Sequence, residues 1–127
     1  MFIVFEGGEG CGKSTQTRAL YRHLSGEGFR AVLTREPGGT KLGERVRRHL
    51  KQTGETRISP LAELFLIATA RAQLVSEVIR PELEEGQTVI CDRFTPSTLA
   101  YQGYGRGLDT DAIRHVNDIA TDGMSPD

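Results

Sequence analysis

Four consecutive apolar residues, Phe2-Ile3-Val4-Phe5, stand at the start of the chain with no alternation of polar and apolar positions. A short, unbroken, β-branched and aromatic run predicts a strand buried on both faces, as parallel sheets require. From Lys13 the pattern changes to helical spacing, with Ala19, Leu20 and Leu24 on one face until Gly26 and Gly28. Ala31-Val32-Leu33 predicts a second strand, closed by Glu36-Pro37-Gly38-Gly39. The next helix is expected from Thr40 to about Leu50. Leu42, Val46 and Leu50 form its inward stripe, and Lys41, Arg45, Arg47, Arg48 and Lys51 its other side.

Ser59-Pro60 then supplies an N-cap followed by proline at the first helical position. The long helix it opens runs through Leu61, Leu64, Ile67 and Ala68 toward Val75 and Ile79, and Pro81 is expected to start a fresh turn to Glu85. Thr88-Val89-Ile90-Cys91 predicts a third buried strand. A last helix is expected over roughly Thr110 to Thr121, with Ile113, Val116 and Ala120 inward and Gly123 at its end. Strand, helix, strand, helices, strand, helix is the α/β order, a parallel sheet with helices on both faces. Three strands fall below the ~4–6 of a usual sheet, so further strands are expected after Asp127.

Composition changes this picture little. The 127 residues suit one domain, residues 1–127, with a core that needs no metal or disulfide. Sixteen Lys plus Arg against 17 Asp plus Glu give a net charge of -1, which provides no global attraction to nucleic acid or to anionic membranes. No apolar run approaches a membrane span, and two cysteines, Cys11 and Cys91, make no disulfide framework. A cytoplasmic protein with free thiols is the expectation.

The chemistry begins in the first glycine cluster. Gly7-Gly8-Glu9-Gly10-Cys11-Gly12-Lys13-Ser14 fits G-x-x-x-x-G-K-[ST] at every fixed position, with a strand before it and a helix after it. Glycines let successive backbone N–H groups turn toward phosphate oxygens, and the helix N-terminus adds partial positive charge. Gly7, Gly8, Glu9, Gly10, Cys11, Gly12, Lys13, Ser14 and Thr15 are therefore expected to hold the phosphates of a nucleoside triphosphate. Lys13 would reach the β- and γ-phosphates, and Ser14 would ligate Mg²⁺.

No Asn-Lys-x-Asp segment of a signalling GTPase occurs, and the chain is short for a motor or AAA-type ATPase. Instead Thr34-Arg35-Glu36-Pro37-Gly38-Gly39-Thr40 follows the second strand, and Asp92-Arg93 ends the third. Ligands of parallel sheets bind beyond the carboxyl ends of the strands, so Arg35, Asp92 and the phosphate loop should share one rim. Two phosphate-seeking centres there imply a donor and a phosphorylated acceptor. Arg45, Arg48 and Lys51 read as a solvated helix face, and Cys11 as a small tolerated residue. The histidines His23, His49 and His115 form no cluster. Tyr101 reads equally as core or as site.

Four segments carry a resemblance to the thymidylate kinase family: Phe5 to Thr15, Thr34 to Thr40, Asp92-Arg93-Phe94-Thr95-Pro96-Ser97-Thr98-Leu99-Ala100-Tyr101-Gln102-Gly103, and Gly123-Met124-Ser125-Pro126-Asp127. The first is shared across P-loop proteins; the third is specific. The resemblance implies a P-loop NTPase-type fold and the reaction ATP + dTMP → ADP + dTDP. It implies that Glu9 addresses the 3′-hydroxyl side of dTMP, and that Arg35, Arg47 and Arg93 face the acceptor phosphate. Lys13, Asp92 and Arg93 would be catalytic, with Asp92 joining Ser14 at Mg²⁺. Arg71 would bond a thymine carbonyl, Thr98 and Gln102 would complete the base and sugar contacts, and Tyr101 would crowd the 2′ position. A homodimer is also implied, with apolar faces around Leu64 and Val75 as its candidate seam.

Two departures accompany the resemblance. Ile67 occupies the position, one turn before Arg71, where the family usually places an aromatic ring over thymine. The loop Glu9-Gly10-Cys11 holds no basic residue before Lys13, which points to the branch whose basic residues lie on a lid. That lid and the later strands would follow Asp127, so the chain reads as an N-terminal portion with low activity of its own. Another P-loop nucleoside or nucleotide kinase and a non-catalytic nucleotide-binding module are the alternatives.

Overall fold

The computed structural model describes residues 1–52 and 57–127. Strands β1 (Phe2–Phe5), β2 (Ala31–Arg35) and β3 (Thr88–Asp92) form a parallel sheet in the order β1-β3-β2. The strand latest in sequence is thus central. Its neighbours run in register, with Phe5 and Arg35 both opposite Asp92. All three strands therefore end at one level.

Helix α1 (Lys13–Gly26) packs on β2 and β3. Val89 and Cys91 join Phe2, Phe94, Leu74, Val75 and Ile79 in one buried cluster, while strand alternation turns Ile90 to the opposite face. The sheet is a double-faced layer, as its unalternating apolar strands require. Phe2 meets Phe94 edge to face, with ring centroids 5.0 Å apart.

Helix α2 (Lys41–Lys51) is capped by the Thr40 hydroxyl, which accepts from the Gly43 N–H at 2.9 Å. Its inward face departs from the expectation at Leu42, which is 39% exposed. Gly43 takes that contact: a Cβ there would lie 2.5 Å from the Gly38 carbonyl oxygen. The stripe is Gly43, Val46 and Leu50, and a pattern drawn through hydrophobic side chains misses a face that begins with glycine.

Helix α3 (Pro60–Leu74), capped by Ser59, continues without a break through a π-helical turn (Val75–Ile79) into α4 (Arg80–Glu84). Pro81 therefore lies inside a helix and does not begin a separate one. The wider turn explains the tolerance. Arg80 N–H bonds to Val75 O, five residues back, in the turn just before the proline, whose ring and missing N–H would break a regular ladder. Leu64 and Val75, around which the candidate dimer seam is drawn, are buried within the chain itself; the large exposed apolar residues of α3 are Leu61 and Phe65.

After β3, α5 (Thr95–Thr98) runs into a second π-helical segment (Leu99–Gly105). No element was expected there, because Gly103, Gly105 and the tyrosines obscure helical periodicity. Helix α6 (Thr110–Thr121) matches its expected span, with Ile113 and Ala120 buried. Val116 is only half-buried, and the polar Asn117 is the buried residue beside it. Among the described residues, no helix is long and apolar enough to cross a membrane.

Candidate active site

The phosphate loop turns between β1 and α1 on glycines that only their lack of a Cβ permits. Gly10 has φ 72° and Gly12, the N-cap of α1, φ 89°. Lys13 folds back over the loop, its Nζ donating to the Gly8 carbonyl at 2.5 Å and lying 3.5 Å from the Cys11 Sγ. The Ser14 hydroxyl donates to the Asp92 carboxylate at 2.6 Å. That bond joins the loop to the end of the central strand, so two hard oxygen donors lie at one point of the rim. Among the described residues no group of three His, Cys, Asp or Glu side chains is arranged to hold a metal. A hydroxyl and one carboxylate fit Mg²⁺, which keeps waters and takes further oxygens from phosphate.

Arg93, directly after β3, adopts a left-handed conformation with φ 76°. For a non-glycine residue this costs about 1–3 kcal/mol and needs external support. The support is present. Arg93 N–H donates to Phe5 O at 3.0 Å, the Cys91 thiol donates to Arg93 O at 3.1 Å, and Arg93 Nη1 donates to Ser97 Oγ at 2.9 Å. Ser97 in turn donates to Glu6, at 2.5 Å, and the other oxygen of Glu6 accepts from Phe94 N–H at 2.7 Å. Burial pushes the Cys91 thiol well above its ordinary range, so it remains protonated as a donor. The Arg93 guanidinium lies over the Tyr101 ring, 5.1 Å from its centroid.

A cavity of about 230 Å³ opens beside this arginine. Glu9, Arg71, Arg93, Thr98, Tyr101 and Gln102 all line it, together with Glu36, Pro37, Ile67, Phe94 and Ser97. Six of the eight expected acceptor residues thus share one chamber. Tyr101, 42% exposed, lines the cavity and lies outside the buried core. Ile67 lines the wall at the position expected to carry an aromatic ring.

Arg35 and Arg47 stand outside that chamber. Arg35 forms a two-pronged pair with Glu44, both N···O distances 3.1 Å, at the end of β2. Although burial opposes it, hydrogen bonds from Gly39 N–H and Arg35 lower the Glu44 pKa. Arg47 donates to Pro37 O at 3.1 Å. Burial, then the neighbouring charge of Arg35 and more weakly of Arg93, lowers its pKa, while Glu44 and Asp92 oppose the shift. Arg35 and Asp92 border a separate cleft of about 310 Å³ with Ser14, so loop, Arg35 and Asp92 do share a rim.

Arg71 is buried in the chamber wall, 1% exposed. Its Nε donates to Glu36 at 2.8 and 3.1 Å, and its Nη2 to Glu36 at 2.5 Å and to Thr98 at 2.9 Å. Nη1 donates to Asn117 at 2.5 Å. A guanidinium has five N–H groups, and this arrangement leaves one on Nη1. Burial raises the Glu36 pKa more than Arg71 lowers it. Glu36, Glu6, Ser97 and Asn117 were not expected in the site. One signal is available in the sequence: an arginine in an apolar helix needs a buried acid.

The model of the family described as thymidylate kinase matches residues 5–127. A thymidylate kinase of Dehalococcoides mccartyi (strain ATCC BAA-2100) is 58% identical over 127 residues, which are 100% of this chain and 61% of that protein. One of Geotalea daltonii is 53% identical over 125 residues, 98% of this chain and 58% of that protein. The crystal structure of thymidylate kinase from Ehrlichia chaffeensis superposes with a TM-score of 0.90 at 46% identity, covering 100% of this chain and 67% of that one. The chain spans about three fifths of the length of the curated relatives it matches.

Proposed function

The chain belongs to the thymidylate kinase family, and on that premise we propose that its site serves transfer of the γ-phosphate of ATP to dTMP, giving dTDP and ADP. One observation carries the reading: Glu9 belongs to the phosphate loop and also lines the acceptor chamber. Donor and acceptor sites thus adjoin along a single loop, as an in-line transfer between two bound phosphates requires.

Phosphoryl transfer depends on positioning and on charge stabilisation more than on covalent steps. In this reading the loop N–H groups from Gly7 to Thr15 cradle the donor phosphates. Lys13 exchanges its bond to Gly8 O for the β- and γ-oxygens. Ser14 and Asp92 would hold Mg²⁺, which when bound neutralises charge on those oxygens. Arg93, already fixed by Ser97 and Tyr101, stands between loop and chamber, where charge develops on the transferring group. Arg35 and Arg47 receive the acceptor phosphate from the rim, Arg35 exchanging Glu44 for it. Arg71, Thr98 and Gln102 meet the base, Tyr101 the sugar, and Ile67 covers the base without stacking on it.

The free thiols fit a reducing, cytoplasmic setting. A homodimer would use the exposed Leu61 and Phe65 of α3 in place of the buried Leu64 and Val75. Initial rates of ADP release with dTMP, dUMP, dCMP, dGMP and thymidine test the proposal, measured on a chain of the relatives' full length. dTMP should lead. Preference for an unphosphorylated nucleoside or for a purine nucleotide would overturn the reading.

A further inference from the structure

Gln102 is 5% exposed in the chamber wall, and its side-chain amide is held from outside the chamber. Its Nε2 donates to Glu63 Oε1 at 2.6 Å. Glu63, near the start of α3 and itself largely buried, is gripped in turn by Arg106, through Nε at 3.3 Å and Nη2 at 2.9 Å. A carboxylate only accepts hydrogen bonds, so the amide end facing Glu63 is the NH₂ and the orientation is settled by chemistry. The carbonyl oxygen is then the free end, with no donor to it among the described residues.

We propose that Glu63 is a specificity-determining positioning residue: by holding the Gln102 amide group, it presents the carbonyl oxygen as an acceptor to the base. The inference rests on the reading of the chamber as a pyrimidine nucleotide site and adds the polarity of that site. Thymine and uracil carry an N–H donor at N3, whereas cytosine carries an acceptor there. An acceptor fixed in the wall pairs with the first two and opposes the third. The remaining Nη1 N–H of Arg71, a donor, complements a ring carbonyl on the same edge. A free amide would rotate to suit either base; one clamped by a carboxylate cannot. Selectivity of this kind comes from leaving a buried polar group unpaired with the wrong partner.

Equilibrium binding of dTMP and dCMP to the chain by titration calorimetry tests this without requiring turnover. Glu63→Gln offers the amide either a donor or an acceptor, so Gln102 is free to flip. The dTMP-to-dCMP affinity ratio should fall roughly tenfold, by weaker dTMP and tighter dCMP binding. Gln102→Met, which removes the acceptor while filling the space, should weaken dTMP roughly tenfold and leave dCMP binding no weaker. A merely structural role would weaken both nucleotides together and leave the ratio alone, which would overturn the assignment. Should Glu63→Gln fail to fold, as read by its thermal melt, the Gln102→Met ratio decides. If the unaltered chain binds neither nucleotide, the chamber reading fails and this inference with it. If it prefers dTMP and both variants keep the same ratio, only this inference fails.

Discussion

The glycine-rich loop and the floor of the chamber that Glu9 lines lie on the same rim, yet they are built in opposite ways. The loop is local. Eight consecutive residues hold their shape through glycine conformations and a few short bonds, and much of it is exposed. The chamber floor is non-local. Glu36 after β2, Arg71 on α3, Thr98 at the end of α5 and Asn117 on α6 meet in a buried polar knot with few donors to spare. The first region shows how a chain offers charge to a ligand while its fold stays indifferent. The second commits most of its donors to tying four separate elements together.

The largest expected effect falls on the knot. Glu36→Ala leaves Arg71 charged, buried and half unpaired, and should cost about 3–5 kcal/mol of unfolding free energy. Urea denaturation would measure it, and a loss under about 1 kcal/mol would break the contrast between the regions. Lys13→Ala should do the reverse. Its side chain bonds only within the loop, so stability should change by less than about 0.5 kcal/mol. Turnover in the full-length form should drop by roughly 10²–10³, the scale of losing one charge-stabilising group. If stability fell while the rate persisted, the loop would be structural and the comparison inverted.

The smallest effect sharpens the border between the two. Glu44 lies on the rim, half in each region's manner, and its pKa is lowered in the folded chain. The unfolded chain therefore binds this proton more readily as pH falls. The stability Glu44 contributes is present above the ordinary glutamate range and is lost as pH falls through its lowered folded value. Because the pair with Arg35 is half-exposed, the loss should be modest. Thermal melts of the parent and of Glu44→Gln across pH 3 to 6 should converge at the acid end. Curves that stay parallel would show that the pair stabilises nothing.

The same division explains what was legible beforehand. A phosphate-binding turn must be written in adjacent residues, because its chemistry is done by the backbone, so Gly7 to Ser14 could be read directly. Strand ends on a parallel sheet are equally readable, and Asp92 and Arg93 fell where the rim demands. Arg71 signals that a buried acid must exist, but not that Glu36 is that acid, because the two lie on different elements and no periodicity links a residue after a strand to one inside a helix. Gly43 and Pro81 misled in the opposite sense. Each carries a strong local rule that tertiary packing overrode, by close backbone approach in one case and by a π-helical turn in the other.

The central strand also acts as a frame for the site's chemistry, much as a reading frame does for codons. Asp92 stands opposite Phe5 and Arg35 at once, and the very next residue is an arginine held in a left-handed conformation. Deleting one residue within Thr88–Cys91 would move the carboxylate off the Ser14 hydroxyl and bring the opposite charge into its place. Both neighbouring strands would register the slip. The turn at Gly86 and Gln87, which precedes the frame, carries no such sign. Variation in chain length should therefore be tolerated before β3 and forbidden within it.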